Sequence, residues 1–140
     1  DLVLGLGQLF DDVDFEPPSN ILVLDWAPQV EILQRADVAI THGGVATIGE
    51  CARFGVPMLV YSTGFVEQDG NAARVAFHQL GVLGEASPKH GAIIDLDQKL
   101  SHVLNDSTFR RRLAALREPL LAAERSDLAV RRIESAEVLP

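Results

Sequence analysis

DVAITHGGVATIGECARFGVPMLVY, residues 37–61, decides the fold. Its two ends, Asp37–Thr41 and Pro57–Tyr61, are short, β-rich and almost continuously apolar. Parallel strands covered on both faces look like this; strands with one wet side alternate instead. Between them, Val45–Phe54 carries helical spacing, and Gly55 stands where a left-handed C-cap belongs. Strand, helix and strand in this order make a βαβ unit, which requires a parallel sheet and a right-handed crossover.

Working outward, the same alternation continues. Leu2–Leu6 and Ile21–Leu24 read as strands, joined by an acidic, Pro-containing connection over Asp11–Asn20. Asn71–Leu80 has helical spacing, with Gly81 at the position of its C-cap. Beyond Gly91 the pattern changes to three helical segments, Asp95–Leu104, Thr108–Glu124 and Asp127–Val138, which carry most of the Lys and Arg. The expected class is α/β: a Rossmann-like open parallel sheet with helices on both faces and a helical C-terminal extension. Gly5-Leu6-Gly7 is half of a dinucleotide fingerprint, but no third Gly follows at the right offset. It reads as a strand end.

The bulk numbers narrow the function. The 140 residues have the length of one domain with one sizeable core. A net charge of -8 argues against non-specific binding to nucleic acid or an anionic membrane, which needs clustered cations. The one basic run, Arg110-Arg111-Arg112, reads as a solvated helix face. A single cysteine, Cys51, excludes an internal disulfide and any multi-cysteine metal site, and fits core filler in a reducing compartment. No stretch approaches the ~18 apolar residues of a membrane span, and no basic flank marks a signal peptide. The expectation is a soluble, cytoplasmic domain. The chain starts directly in the apolar run Leu2-Val3-Leu4 with no initiator Met, as a piece of a longer polypeptide does.

In open α/β sheets, ligands bind beyond the carboxyl ends of the strands, and phosphates favour helix N-termini. Thr41-His42-Gly43-Gly44-Val45-Ala46-Thr47 has that form. Two adjacent glycines let backbone N–H groups close on an anion, His42 can donate to phosphate, and Thr47 adds a hydroxyl in the first helical turn. By itself the same run reads sooner as a plain strand-to-helix turn with a capping Thr. Trp26, the only Trp, follows a strand and precedes Ala27-Pro28-Gln29. A lone Trp is usually core, yet here it could offer a flat face to a base, with Gln29 aimed at a ribose hydroxyl. Glu50 lies roughly two helical turns past the glycines, solvent-facing or an acceptor for a diol. Glu67-Gln68 follows strand Pro57–Tyr61 and precedes a helix, so it too lies at the binding edge.

Together, Trp26-Ala27-Pro28-Gln29, Ala36-Asp37, His42-Gly43-Gly44, Glu50, Gly55-Val56-Pro57, Glu67-Gln68 and Asn71-Ala72 resemble the donor-binding signature of family-one UDP-glycosyltransferases. These are GT-B enzymes, and they include plant small-molecule glucosyltransferases, animal glucuronosyltransferases and bacterial macrolide-type transferases. The resemblance implies that Trp26 stacks on uracil and that the Ala27 backbone reads the base edge. Gln29 and Glu50 would bind ribose hydroxyls. His42, Thr47 and the backbone of the Gly43-Gly44 pair, Gly44 above all, would hold the diphosphate. Glu67 and Gln68 would bond hydroxyls of the transferred sugar. Fixed donors aimed at the departing diphosphate make it a competent leaving group without a metal, so no metal or cofactor is expected.

The chain departs from the plant pattern at Val45-Ala46, where Trp-Asn is usual, and this points to the bacterial branch. Glu67 replaces the usual Asp. Glu50 favours a ribonucleotide, hence UDP over dTDP. The implied protein is an inverting hexosyltransferase acting on a small-molecule acceptor. This chain would be its donor half, without the N-terminal acceptor domain, the first strand of its own domain, or a catalytic residue, and inactive alone. His78, His90 and His102 lie outside the motif and read as surface or helix residues. Other readings stay open at this point: a donor-binding subunit that acts with a partner chain, a UDP-N-acetylglucosamine epimerase of the same architecture (though that family lacks the Trp-Ala-Pro-Gln run), and a non-catalytic nucleotide sensor.

Overall fold

The computed structural model describes residues 1–12, 14, 16–85 and 93–136. The chain divides into two units, Asp1–Arg35 and Ala36–Pro140. In the first unit, β1 (Leu2–Gly5) and β2 (Ile21–Leu24) pair in parallel, Leu2 opposite Ile21 and Gly5 opposite Leu24. A 3-10 turn over Gly7–Asp12 follows β1, so Gly5-Leu6-Gly7 is indeed a strand end. After β2 comes a short helix that the sequence did not suggest, α1 (Gln29–Leu33), begun at Pro28. Pro suits a helix start because its missing N–H would be unpaired there in any case.

The second unit holds β3 (Ala39–Thr41), α2 (Val45–Phe54), β4 (Met58–Val60), α3 (Val66–Phe77) and β5 (Gly81–Leu83). The three strands pair in parallel in chain order, β4 in the middle. Met58, Leu59 and Val60 are all buried, as a central parallel strand requires. The outer strand β3 is less covered, since Ile40 stays exposed. Val56, Ala72, Val75, Val103, Phe109 and Leu113 complete the core with buried Cys51, whose thiol burial pushes up to about 12. A thiol so held is core filler, as expected.

Two expectations need correction. The helix expected over Asn71–Leu80 begins earlier, so Glu67 and Gln68 lie in its first turn, not before it. Acidic residues favour a helix N-terminus, and this turn carries Glu67 and Asp69. Gly81 is not a cap. The left-handed residue after α3 is Gln79, at φ 55, and Gly81 opens β5. A Cβ on Gly81 would lie 1.9 Å from the Met58 carbonyl oxygen, so the glycine is there to let β5 approach β4. Gly55, in contrast, is the expected left-handed cap, at φ 74.

The tail consists of α4 (Leu96–Asn105), α5 (Ser107–Arg125) and α6 (Leu128–Glu134). Asp106 caps α5, accepting from the Thr108 N–H at 2.8 Å. The Arg110–Arg112 run is exposed but not idle: Arg110 bonds Asp37 Oδ1 at 3.0 Å and Arg112 bonds Gln79 Oε1 at 3.1 Å. Pro119 lies inside α5, so no N–H is offered to the Ala115 carbonyl. The helix is tied to α2 by an Arg53–Glu124 ion pair and by Arg117 Nε donating to the Arg53 carbonyl at 2.8 Å. Among the described residues, no helix is long and apolar enough to cross a membrane.

Candidate functional site

Parallel pairing sets the exits of β3 and β4 side by side, with Thr41 opposite Val60. Two loops therefore leave the same edge. The first is His42-Gly43-Gly44. Gly43 has φ +95, a conformation an L side chain rarely adopts, and a Cβ there would come within 3.1 Å of Val60 Cγ1 and 3.3 Å of the Gln68 carbonyl oxygen. Its N–H donates to Thr41 Oγ1 at 3.2 Å. Gly44 begins α2 in extended conformation without a side-chain cap, and the first turn of α2 holds no acidic residue. The His42 ring lies against Gly44, where a Cβ would stand 2.9 Å from Nε2. Thr47 is in that first turn, and Glu50, three residues on, falls on the same helix face, half-buried.

The second loop, Tyr61 to Phe65, is laced by its own side chains. Ser62 Oγ donates to Asp69 Oδ1 at 2.5 Å and accepts from the Gly64 N–H at 3.2 Å. Gln68 Oε1 accepts from both the N–H and the hydroxyl of Thr63, at 3.0 and 2.7 Å. That bonding occupies the Gln68 carbonyl and leaves its amide nitrogen, a donor, as the group able to meet a ligand oxygen. Glu67 is exposed, and its Oε1 accepts from Asn71 Nδ2 at 2.9 Å. The same Asn71 nitrogen donates to the Gly43 carbonyl at 2.9 Å. The motif contains Asn71, yet nothing in its sequence position announces that it joins the two loops.

Behind the second loop, Tyr61 Oη donates to Asp95 Oδ1 at 2.9 Å. Burial, with the Asp95 bond and charge adding to it, pushes the Tyr61 phenol up to about 12. Asp95 also accepts from the Glu85 N–H through both oxygens at 3.1 Å, so β5's exit is held to β4's.

In the first unit, Trp26 and Ala27 follow the carboxyl end of β2, and Gln29 opens α1. Trp26 is 74% exposed, so the alternative of a core Trp is wrong. The Trp26 backbone N–H donates to Asp25 Oδ1 at 2.6 Å, and Ala27 packs close to Gly5, where a Cβ would be 3.2 Å from the Ala27 methyl.

The histidines outside the motif are where the sequence suggests. His78 ends α3 exposed, and His102 lies on α4 facing Asp106 at 3.6 Å. His90 falls outside the described residues. A shallow cleft of about 500 Å³, lined by residues such as Gln79, Leu83, Lys99, His102 and Phe109, includes none of the motif residues. Among the described residues, no group of three or more His, Cys, Asp or Glu could hold a metal ion.

Comparison with known proteins points the same way as the motif. The UDP-glucuronosyl and UDP-glucosyl transferase profile matches residues 16–125. NDP-glycosyltransferase YjiC of Bacillus subtilis is 29% identical over 136 residues, 96% of this chain and 34% of its own length. The oleandomycin glycosyltransferase of Streptomyces antibioticus is 31% identical over 113 residues, 80% of this chain and 26% of its own. The solved structure of the glycotransferase of kitacinnamycin matches with a TM-score of 0.76 at 30% identity, over 93% of this chain and 34% of the other. The chain thus spans about a third of the length of the relatives it matches, or less.

Proposed function

The chain belongs to the UDP-glucuronosyl and UDP-glucosyl transferase family of GT-B glycosyltransferases, and from this premise we propose that it is the nucleotide-sugar-binding part of an inverting enzyme. That enzyme moves a hexose from a UDP-sugar to a small-molecule acceptor, in the cytoplasm. One observation carries the reading: two helices start from neighbouring strand ends with opposite electrostatic character. The first turn of α2 has no acid and no side-chain cap, whereas that of α3 bears Glu67 and Asp69. A diphosphate suits the first, because the N–H groups and the dipole of a helix N-terminus free of acidic side chains favour an anion. Sugar hydroxyls, which donate to carboxylates, suit the second.

The division of roles follows. His42, Thr47 and the backbone of Gly43 and Gly44 hold the diphosphate and take up the charge that develops on it as the glycosidic bond breaks. Glu67 and Gln68 hold the hexose. Trp26 stacks on the base, the Ala27 backbone reads its edge, and Gln29 with Glu50 binds the ribose. A carboxylate at Glu50 rewards both ribose hydroxyls, which favours UDP over dTDP. No metal is required, because the leaving group is neutralised by fixed protein donors. No residue of this chain is assigned the general base that deprotonates the acceptor, so this chain alone is inactive in transfer.

Thermal denaturation of the full-length protein with UDP, dTDP and several UDP-sugars tests the nucleotide. A ligand at a hundred times its Kd adds about 2.7 kcal/mol of stability, so UDP species should raise the midpoint clearly and dTDP less. A preference for dTDP overturns the Glu50 assignment. Unchanged transfer in Trp26→Ala and His42→Ala enzymes would refute the donor site itself.

A further inference from the structure

Asn71 is 9% exposed and lies in the second turn of α3. Its Nδ2 carries two hydrogens, and both are in use, one on the Gly43 carbonyl and one on Glu67 Oε1, each at 2.9 Å. Peptide geometry turns the first bond into a statement about the opposite side of the loop. In a trans peptide the carbonyl of one residue and the N–H of the next point in opposite directions. Holding the Gly43 carbonyl towards Asn71 therefore turns the Gly44 N–H away from Asn71, and no backbone acceptor takes that N–H among the described residues. The second bond fixes one oxygen of Glu67 and leaves the other for a ligand.

We infer that Asn71 is a positioning residue that sets the Gly44 N–H for the diphosphate and the Glu67 carboxylate for the sugar through one amide group. This rests on the donor-site reading above and adds to it a coupling: the two halves of the donor are not recognised independently. A residue acting only as core packing would not do this, because its shape rather than its protons would matter. Asn71→Asp keeps the shape and replaces both donors with an acceptor facing a carbonyl and a carboxylate. Asn71→Ser offers a single hydroxyl proton to two acceptors.

The test is calorimetric binding of UDP and of UDP-glucose to the full-length enzyme, with thermal midpoints recorded alongside. Asn71→Asp should weaken UDP at least tenfold and UDP-glucose by a larger factor, so that the affinity ratio between the two ligands changes. Glu67→Gln should weaken UDP-glucose alone. The Asn71→Ser and Glu67→Gln losses should combine to less than their sum, since each removes part of the same contact. Where Asn71→Asp does not fold, the Ser variant and its cycle with Glu67→Gln decide. The inference is overturned if the Asn71 variants lower the thermal midpoint but leave both affinities within twofold, or if the cycle is additive. In either case, weakening by His42→Ala and Glu67→Gln leaves the donor reading standing. If those two variants also bind like wild type, the donor reading has failed, and the inference with it.

Discussion

The loops after β3 and β4 leave neighbouring strand ends, yet they are built on opposite plans. The first is short and glycine-rich, offers bare main chain held from outside the loop by Thr41 and Asn71, and has Gly43 squeezed between Val60 and the first turn of α3. The second is held by side chains: Ser62 on Asp69, Thr63 on Gln68. A loop that must bring N–H groups to an anion gains from having no side chains in the way. A loop that presents a carboxylate and an amide needs its own scaffold to aim them. The difference teaches which half of a nucleotide sugar each loop suits.

The same substitution made in both loops breaks the comparison most sharply. Gly43→Ala meets both a strained φ and two close neighbours, and should cost about 3 kcal/mol in urea denaturation and abolish UDP binding. Gly64, at φ +88 with nothing within 4 Å of its Cβ position, carries the strain alone. Gly64→Ala should cost about 1 kcal/mol and leave UDP binding intact. Equal losses in the two variants would mean that the loops are not different in kind.

His42→Ala should then lower kcat/KM about 100-fold in the full-length enzyme, the usual loss for one donor to a developing charge. Gln68→Ala should lower affinity for UDP-glucose about tenfold with little effect on UDP, or about 1.4 kcal/mol in the sugar alone. A Gln68 effect of the same size on UDP would show the second loop serving the phosphates as well. The smallest effect belongs to a helix start remote in role from both loops. The Thr108 N–H, first among several contacts, holds the Asp106 carboxyl below its ordinary value. A carboxyl lowered in the folded state contributes stability above its unfolded value, and that contribution fades as pH falls through the folded one. The thermal midpoint of Asp106→Ala should therefore lie a few degrees below wild type at neutral pH, and the gap should close below about pH 4. UDP binding should be unaffected.

Local chemistry was readable in the sequence wherever one element supplied its own signals. Val45–Phe54 and its Gly55 cap are found where expected because spacing and a C-terminal glycine lie within one stretch. The start of α3 was hidden because its first turn is exposed, with Val66 89% accessible and two acids following, so apolar spacing begins only later. Gly81 misled because a glycine after a helix looks like a cap, while its actual cause, the Met58 carbonyl, is over twenty positions away. At the site, the motif named the residues but not their bonding. That Gln68 spends its carbonyl on Thr63 is set by the path of the loop between them, and that Asn71 reaches Gly43 as well as Glu67 depends on how two strands pair; spacing alone encodes neither.

Pro119 divides α5 in a way that bears on how the molecule breathes. The missing N–H breaks the hydrogen-bond ladder between a first half that buries Phe109 and Leu113 and a second half that is mostly exposed. With the ladder cut, the turns beyond Pro119 can fray without loosening those before it, checked mainly by the surface bond of Glu124 to Arg53. The C-terminal part of the helix is thus where local opening costs least. The half that buries Phe109 and Leu113 in the core opens only with the unit as a whole.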